Sequence, residues 1–296
     1  MPKVSILMNA YNAQKYLKDA IDSIYAQTFQ DWEIIFIDNC STDDSKLIVD
    51  GYDDKIKYFK TPKNIPLGEA RNFGLTHCNN EYLAFLDTDD IWLVNKLEVQ
   101  VDLMDKNTKL QMCYSGVIYI DENSNEKKRF IPQAETGYVL REQLKRYEIN
   151  MQSVIIRNNI EIDFNKTMQF SPDFDLFIKI ASMYDIGVIK EYLVKYRKVE
   201  NSLTSKKIDR WWIETKQTLD EVFQNKPELK EKYPKEYEIA YAKVHYYKAC
   251  YLISIGNKGE ATKELGNSKF VSKIYFILYI ISLFPTIVWK TVHKLK

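Results

Sequence analysis

The chain has little of what metal cages and disulfide scaffolds are built from. Its four cysteines, Cys40, Cys78, Cys113 and Cys250, stand far apart with no Cys-x-x-Cys pair, and its three histidines, His77, His245 and His293, share no ligand spacing. Both facts argue against a zinc site, and the cysteines read as reduced core thiols of a cytosolic protein. Glycine is scarce, with 9 residues in 296, and there is neither a Gly-x-Gly-x-x-Gly nor a Walker-type loop to cradle a phosphate. An excess of one charge is missing too. The formal charge is +1, without the basic surplus a general nucleic-acid binder needs, and no nucleic-acid-binding motif is present. Met1-Pro2-Lys3 passes straight into a strand-like run, so no signal peptide is expected, and no apolar run reaches the ~20 residues that span a bilayer.

What is present is enough apolar material, 45% of 296 residues, for one large core or two modest ones, which predicts an α/β domain plus an appendage. The first hundred residues alternate. Val4 to Met8, Ile34 to Ile37, Ile56 to Phe59 and Tyr82 to Leu86 read as strands. Between them, helical spacing links Tyr16, Leu17, Ala20, Ile21 and Ile24. A second helix, entered through Ser41-Thr42-Asp43-Asp44 as its N-cap, carries Leu47, Ile48 and Tyr52, and a third covers about 67 to 77. Such alternation gives right-handed crossovers and a mostly parallel sheet, whose ligands bind beyond the carboxyl ends of the strands.

Three strand ends are polar: Asn9-Ala10-Tyr11-Asn12, Asp38-Asn39 and Asp87-Thr88-Asp89-Asp90. The last closes the apolar run Leu83 to Leu86 with three carboxylates in four residues. Clustered acids after a strand hold a divalent cation against a phosphate, because Mg²⁺ and Mn²⁺ prefer hard oxygen ligands and Mg²⁺ takes only one or two carboxylates beside substrate phosphates. The plainer alternative is a solvated turn or a helix cap, with Asp90 and Asn95 opening the helix of Leu97, Val101 and Met104. Three polar ends on one rim describe a pocket. Without a glycine-rich loop, a metal must do more of the charge neutralisation.

In order and spacing, several segments resemble the family 2 glycosyltransferases. They are Val4-Ser5-Ile6, Tyr11-Asn12, Gln27-Thr28-Phe29, Asp38-Asn39-Cys40-Ser41-Thr42-Asp43-Asp44-Ser45, Ala70-Arg71-Asn72-Phe73-Gly74 and Leu86-Asp87-Thr88-Asp89-Asp90. The resemblance is dense over about 2 to 105 and looser to about 205. It implies a GT-A type, Rossmann-like, mostly parallel sheet flanked by helices. It also implies an inverting, Mn²⁺- or Mg²⁺-dependent transfer of a sugar from a nucleotide donor, most readily a UDP-sugar, to a saccharide or lipid-linked glycan acceptor in bacterial surface-polysaccharide assembly. Within it, Tyr11, with Asn12 beside it, stacks on the nucleobase and Asp38 accepts the base imide N–H. Arg71 lies near base and diphosphate, Asp87 faces the ribose, Asp89 (or Asp90) takes the metal, and Asp90 shapes the sugar site or caps a helix.

Ser171-Pro172-Asp173-Phe174-Asp175 resembles the family segment in which a Glu-Asp pair opens a helix and the Asp is the catalytic base. Asp173 takes that position and Pro172 replaces the Glu, at a helix start where a missing N–H costs nothing. Asp175 is the weaker candidate. Tyr196-Arg197, within Leu193 to Ser202, resembles the element that closes over the diphosphate, so Arg197 joins the donor-binding set; Val199 stands where a histidine is usual, and Lys198 is the other cation at hand. Tyr114, Gln152 and Ser153 are offered as polar residues for the acceptor side.

The expected catalytic domain covers 1–205, with donor binding in 1–105 and the acceptor and catalytic part in 106–205. A helical region, 206–296, follows. Its tail, about 268–296, holds the most apolar stretch, Ile274 to Trp289, interrupted by Pro285, with lysines at 269, 273, 290, 294 and 296 and no acid. That pattern predicts a helix lying in a membrane surface, at the cytoplasmic face of the inner membrane; a buried helix or a homodimer contact is the alternative. Two other functions share the rim of acids. One is a nucleotidyltransferase, which would carry an early glycine-rich loop absent here. The other is an inactive glycan- or membrane-binding scaffold, toward which Pro172 and Val199 point.

Overall fold

The chain, taken as a computed structural model, is described over residues 2–199 and 208–294. It divides into two compact units. The first holds the described residues to Leu140 and from Glu148 to 199; the second joins Arg141–Tyr147 to 208–294. The boundary expected at 205/206, and Asn201 and Ser202, lie outside the described residues.

In the first unit, apolar runs rich in β-branched and aromatic residues form β1 (Val4–Ala10), β2 (Trp32–Asp38), β3 (Ile56–Lys60) and β4 (Tyr82–Phe85), paired in parallel in the order β3-β2-β1-β4. The sheet continues through β8 (Ile155–Arg157), β6 (Met112–Ile120), β9 (Ile186–Arg197) and β5 (Ile91–Trp92), with β7 (Glu126–Phe130) on β6. β8 is antiparallel to both β4 and β6, and β6 is parallel to β9. Two reversals restore direction, so β6 and β9 end on the same rim as β1, β2 and β4. The sheet is thus mostly parallel, with β5, β7 and β8 running the other way.

The strands read as continuous apolar runs because helices cover both faces. α1 (Gln14–Tyr25) buries Leu17, Ala20, Ile21 and Ile24 at helical spacing against Val4, Ile6 and Met8, together with Leu97 and Val101 of α4 (Lys96–Lys106). α3 (Leu67–Leu75) lies against the opposite face. A Cβ on its Gly74 would stand 2.3 Å from Leu7 Cδ1 and 2.9 Å from Ile37 Cγ1. Only glycine allows that approach, which brings Arg71, one turn earlier, to the rim. α2 (Ser45–Val49) starts as expected after the Ser-Thr-Asp-Asp run, with Asp43 Oδ1 accepting from Ser45 N at 3.1 Å. α5 (Leu140–Lys145) and α6 (Pro172–Met183) complete the helices up to residue 199.

The second unit is helical: α7 (Ile208–Asn225), α8 (Glu228–Lys232), α9 (Pro234–Ser254), α10 (Lys258–Gly266), α11 (Lys273–Leu283) and α12 (Thr286–Lys294). Ala249, Leu252, Leu265, Tyr275, Leu278 and Trp289 form part of its core. Arg141 and Lys145 of α5 join it through ion pairs of 3.0 and 3.3 Å to Glu236 of α9, a long-range attachment that no local pattern announces. The apolar stretch expected as one helix is two. Phe284 is extended ahead of Pro285, because the proline ring disfavours helical geometry in the residue before it.

Candidate active site

Strand register builds the rim. Ala10 pairs with Asp38, Asp38 with Lys60, and Leu7 with Phe85, so the segments after β1, β2, β3 and β4 emerge side by side. Asn12 adopts left-handed geometry (φ 52°), its N–H donates to Ser41 Oγ at 3.0 Å, and its Oδ1 accepts from Thr42 N at 2.9 Å. These bonds tie the first two segments together and leave Tyr11 55% exposed, a free aromatic face on the rim. Asn39 does the same for the next pair, bonding Ile65 through both its amide groups and accepting from Thr61 Oγ1 at 3.0 Å.

Asp38 is only 1% exposed. Ser41 N donates to its Oδ1 at 2.7 Å, Tyr58 OH to its Oδ2 at 2.5 Å, and the Lys60 ammonium is 3.5 Å away. Burial pushes its carboxyl upward, but these donors and the lysine outweigh it and hold it below the usual carboxylate range. Each oxygen thus has a partner within the protein, and each keeps acceptor capacity beyond it. Tyr58 was not picked out in the sequence, since nothing in Ile56 to Phe59 marks it as more than a strand residue.

At the end of β4, Arg71 Nη2 lies 3.2 Å from Asp87 Oδ1, while Gln152 Nε2 donates to Oδ2 at 2.6 Å and Gln152 Oε1 accepts from Asp87 N at 3.1 Å. Gln152 belongs to a short 3₁₀ turn, Met151–Ser153, whose position is set by Trp92 Nε1 donating to Gln152 O at 3.0 Å. Expected on the acceptor side, Gln152 is buried and clamps Asp87 instead; Tyr114 and Ser153 are wholly buried. Arg71, 5% exposed, packs its guanidinium over Phe164 at 5.3 Å.

Asp89 and Asp90 differ sharply from Asp87. Neither forms an ion pair among the described residues. Burial, then the neighbouring Asp87 charge, pushes Asp89 up to about 6. Asp90, 1% exposed, accepts from Arg197 N at 2.6 Å through Oδ1, and its Oδ2 has no partner. Burial, then Asp89 and Asp87, holds Asp90 well above the carboxylate range. Asp90 is not the cap of α4. Asn95 precedes that helix, and Asp90 lies before β5.

Arg197, expected on the diphosphate, is 3% exposed, and its Nη2 has no hydrogen-bond partner. Its Nε donates to Asp89 O at 2.8 Å, its Nη1 to Asp121 O, Glu122 O and Ser124 Oγ, and its guanidinium covers the Tyr16 ring at 4.3 Å. Its bonds to Asp89 and Asp90 fix the acidic loop. Lys198 is exposed, 5.0 Å over the Tyr119 ring.

Pro172 occupies the start of α6, so Asp173 falls in the first turn. Burial raises the Asp173 carboxyl, while the charge of Arg71 and the backbone N–H groups of Asp173 and Phe174 oppose that, and Asp87 adds to the rise. Asp173 and Asp87 thus both lie in the field of Arg71. Asp175, the weaker candidate, is buried and paired with Lys179 at 2.7 Å. Tyr196 was also missed. Burial raises its phenol, and so do Asp90, Asp87, Asp89 and Asp173, which places it in the field of all four carboxylates. Its position beside Arg197 in the Tyr-Arg pair was the available signal.

The residues fit a hard divalent cation of the kind that substrate phosphates complete. Asp89 forms no ion pair among the described residues and Oδ2 of Asp90 has no partner, which leaves hard carboxyl oxygens open to a cation beside Asp87. No cluster of three or more His, Cys, Asp or Glu among those residues forms a full cage, and Mg²⁺ needs none.

Residues 5–177 match the glycosyl transferase family 2. The chain is 33% identical over 205 residues to the uncharacterized glycosyltransferase MJ1057 of Methanocaldococcus jannaschii, covering 66% of this chain and 71% of that protein. It is 31% identical over 215 residues to UDP-Glc:alpha-D-GlcNAc-diphosphoundecaprenol beta-1,3-glucosyltransferase WfgD of Escherichia coli, covering 71% of this chain and 83% of that one. The fold is similar to that of S. aureus TarS 1–349 in complex with UDP, with TM-score 0.65 and 16% identity over 91% of this chain and 80% of that one.

Proposed function

Because the chain belongs to glycosyl transferase family 2 and is a glycosyltransferase, we propose that its rim binds a UDP-sugar with a divalent metal and transfers the sugar, with inversion, to a hydroxyl of a saccharide or lipid-linked glycan. The observation that carries the reading is the grouping around Arg71 and Asp87: Asp87 on the guanidinium, Asp173 in the field of both, and Asp89 and Asp90 in the field of Asp87. UDP as the leaving group is supported by the UDP-Glc donor named for WfgD and by the UDP bound to TarS. A lipid-linked acceptor is supported by the diphosphoundecaprenol in WfgD's name, and a place in surface-polysaccharide assembly by the teichuronic acid biosynthesis named for TuaG of Bacillus subtilis.

In this reading the exposed Tyr11 ring takes the face of the nucleobase, and Asp38 keeps the base pocket in shape through Ser41 and Tyr58. Asp87, held by Arg71 and Gln152, meets the ribose. Mn²⁺ or Mg²⁺ would be held by Asp89, with Asp90 and Asp87 adjacent, and would supply stabilisation for the negative charge of the departing diphosphate. Asp173 takes the proton of the acceptor hydroxyl. Burial raises its basicity while the charge of Arg71 favours the carboxylate, the two influences a general base needs. One base acting on one acceptor gives a single displacement and an inverted anomeric centre.

Incubation with a panel of nucleotide sugars and Mn²⁺, reading nucleoside diphosphate release, names the donor. Asp173→Asn is expected to lower transfer by about 10²–10⁴-fold, the usual share of general-base catalysis, with UDP affinity nearly unchanged. Transfer at the wild-type rate would remove Asp173 from the mechanism.

A further inference from the structure

Eight of the fifteen large apolar side chains exposed among the described residues fall between Phe270 and Ile287, all in the helical unit. The reason lies in α11. Its sequence, Lys-Ile-Tyr-Phe-Ile-Leu-Tyr-Ile-Ile-Ser-Leu, is apolar all round, as in a helix covered on every side. Only one side is covered: Tyr275, Leu278 and Ser282, at i, i+3 and i+7, are buried, and the first two join the core of the unit. The other face presents Ile274, Phe276, Ile277, Ile280 and Leu283 to solvent. Phe270, 85% exposed, precedes it and Ile287, 68% exposed, follows it. A patch of this extent and continuity on a water-soluble surface marks a contact face.

The charges choose the occupant. Lys273 and Lys290 are exposed at the edges of the patch, and the Lys269 ammonium lies 5.0 Å over Phe270 and 5.1 Å over Tyr279. From Leu265 to the end the sequence has five lysines and no Asp or Glu. A twofold contact between two copies would apply this patch to itself and bring lysines together with no acid of the segment to pair them. Helices of 11 and 9 residues cannot cross a bilayer, and no helix among the described residues is long and apolar enough to do so. Exposed apolar groups rimmed by cations, on helices too short to span, suit an interface of acyl chains below and anionic headgroups above.

We propose that the outward face of α11, with Phe270 and Ile287 at its two ends, is a docking surface for a bilayer rich in anionic phospholipid. The apolar side chains enter the headgroup–acyl boundary, and Lys269, Lys273 and Lys290 pair with lipid phosphates. The surface does not depend on the sugar-transfer reading, and its test does not measure transfer.

The full chain is sedimented with vesicles of phosphatidylethanolamine and phosphatidylglycerol, and separately with vesicles of phosphatidylcholine alone. At about five-fold per lysine near an anionic surface, the three lysines give on the order of 10²-fold tighter binding to the anionic vesicles, and the preference falls as salt is raised. Ile277→Glu with Ile280→Glu is expected to abolish sedimentation. Reversing Lys269, Lys273 and Lys290 to Glu should erase the preference for anionic lipid, while Leu47→Glu, an exposed apolar position of the other unit, leaves binding as it was. Circular dichroism checks that each variant is folded. Two results overturn the proposal: a wild-type chain that stays in the supernatant with both vesicle types, or a lipid-free dimer that dissociates in Ile277→Glu/Ile280→Glu, which would make a second copy the occupant.

Discussion

Replacing Tyr58 by phenylalanine removes one oxygen and little else, which makes it a clean probe of the base-side wall. The ring contacts survive the change: its stacking on Phe36 at 6.0 Å and 13°, and the Lys46 ammonium 5.1 Å from its centroid. What is lost is the 2.5 Å bond to Asp38 Oδ2, leaving a carboxylate that is 1% exposed with the Lys60 ammonium at 3.5 Å as its remaining partner on that oxygen. Hydrogen bonds to charged groups contribute about 1.5–3 kcal/mol, so Tyr58→Phe is expected to cost about 2 kcal/mol at neutral pH, read by urea denaturation followed by tryptophan fluorescence. The pH dependence gives a second, sharper check. Asp38 is held below its unfolded value of about 3.9, so between the two values the unfolded chain binds more protons and stability rises with pH. That contribution is fully present above the unfolded value and is lost as pH falls through the folded one. Removing the Tyr58 donor raises the folded value and shrinks it. The gap between wild type and variant should therefore be widest above about pH 5 and narrow steadily below the unfolded value. UDP affinity should fall as well, since Asp38 anchors Ser41 and Ser41 anchors Asn12. A loss under about 0.5 kcal/mol at pH 7, below the range for a charge-assisted bond, would refute the reasoning; so would a loss that is as large in acid as at neutrality.

Gln152→Leu removes the two bonds that Gln152 makes to Asp87, one of them to a charged oxygen, and should weaken UDP binding about ten-fold in calorimetric titration with Mn²⁺ present; unchanged affinity would mean that Arg71 alone positions Asp87. Cys40 is held at φ 66°, where a non-glycine residue is strained by about 1–2 kcal/mol. After subtracting the conformational entropy that glycine brings to the unfolded chain, Cys40→Gly should raise the melting temperature by about 1–3 °C. A lower melting temperature would show that the Cys40 side chain contributes packing that outweighs its backbone strain.

The parallel half of the sheet was legible because buried strands are written as unbroken apolar runs and their ends as abrupt polar residues. Val4 to Met8, Ile34 to Ile37, Ile56 to Phe59 and Tyr82 to Leu86 each became a strand shifted by no more than two residues at either end. The start of α6 at Pro172 was readable for the same local reason, a proline tolerated only in the first turn. The site was legible as a list of carboxylates and not as an arrangement. Asp90 looked like a cap from its neighbours in sequence, yet its partner is the N–H of Arg197, 107 residues away.

The sequence by itself therefore determined the elements, the rim on which they end and the acids gathered there, because periodicity and the polarity of strand ends are local properties. Only the tertiary structure decided that Asp38 faces Tyr58, that Gln152 bonds Asp87, that Arg197 bonds the acidic loop, and that α11 leaves one apolar face open. Each of those outcomes depends on strand register and on which side chains a neighbouring element covers. A buried polar group bonds whatever the fold brings within about 3 Å, and that distance bears no relation to separation along the chain.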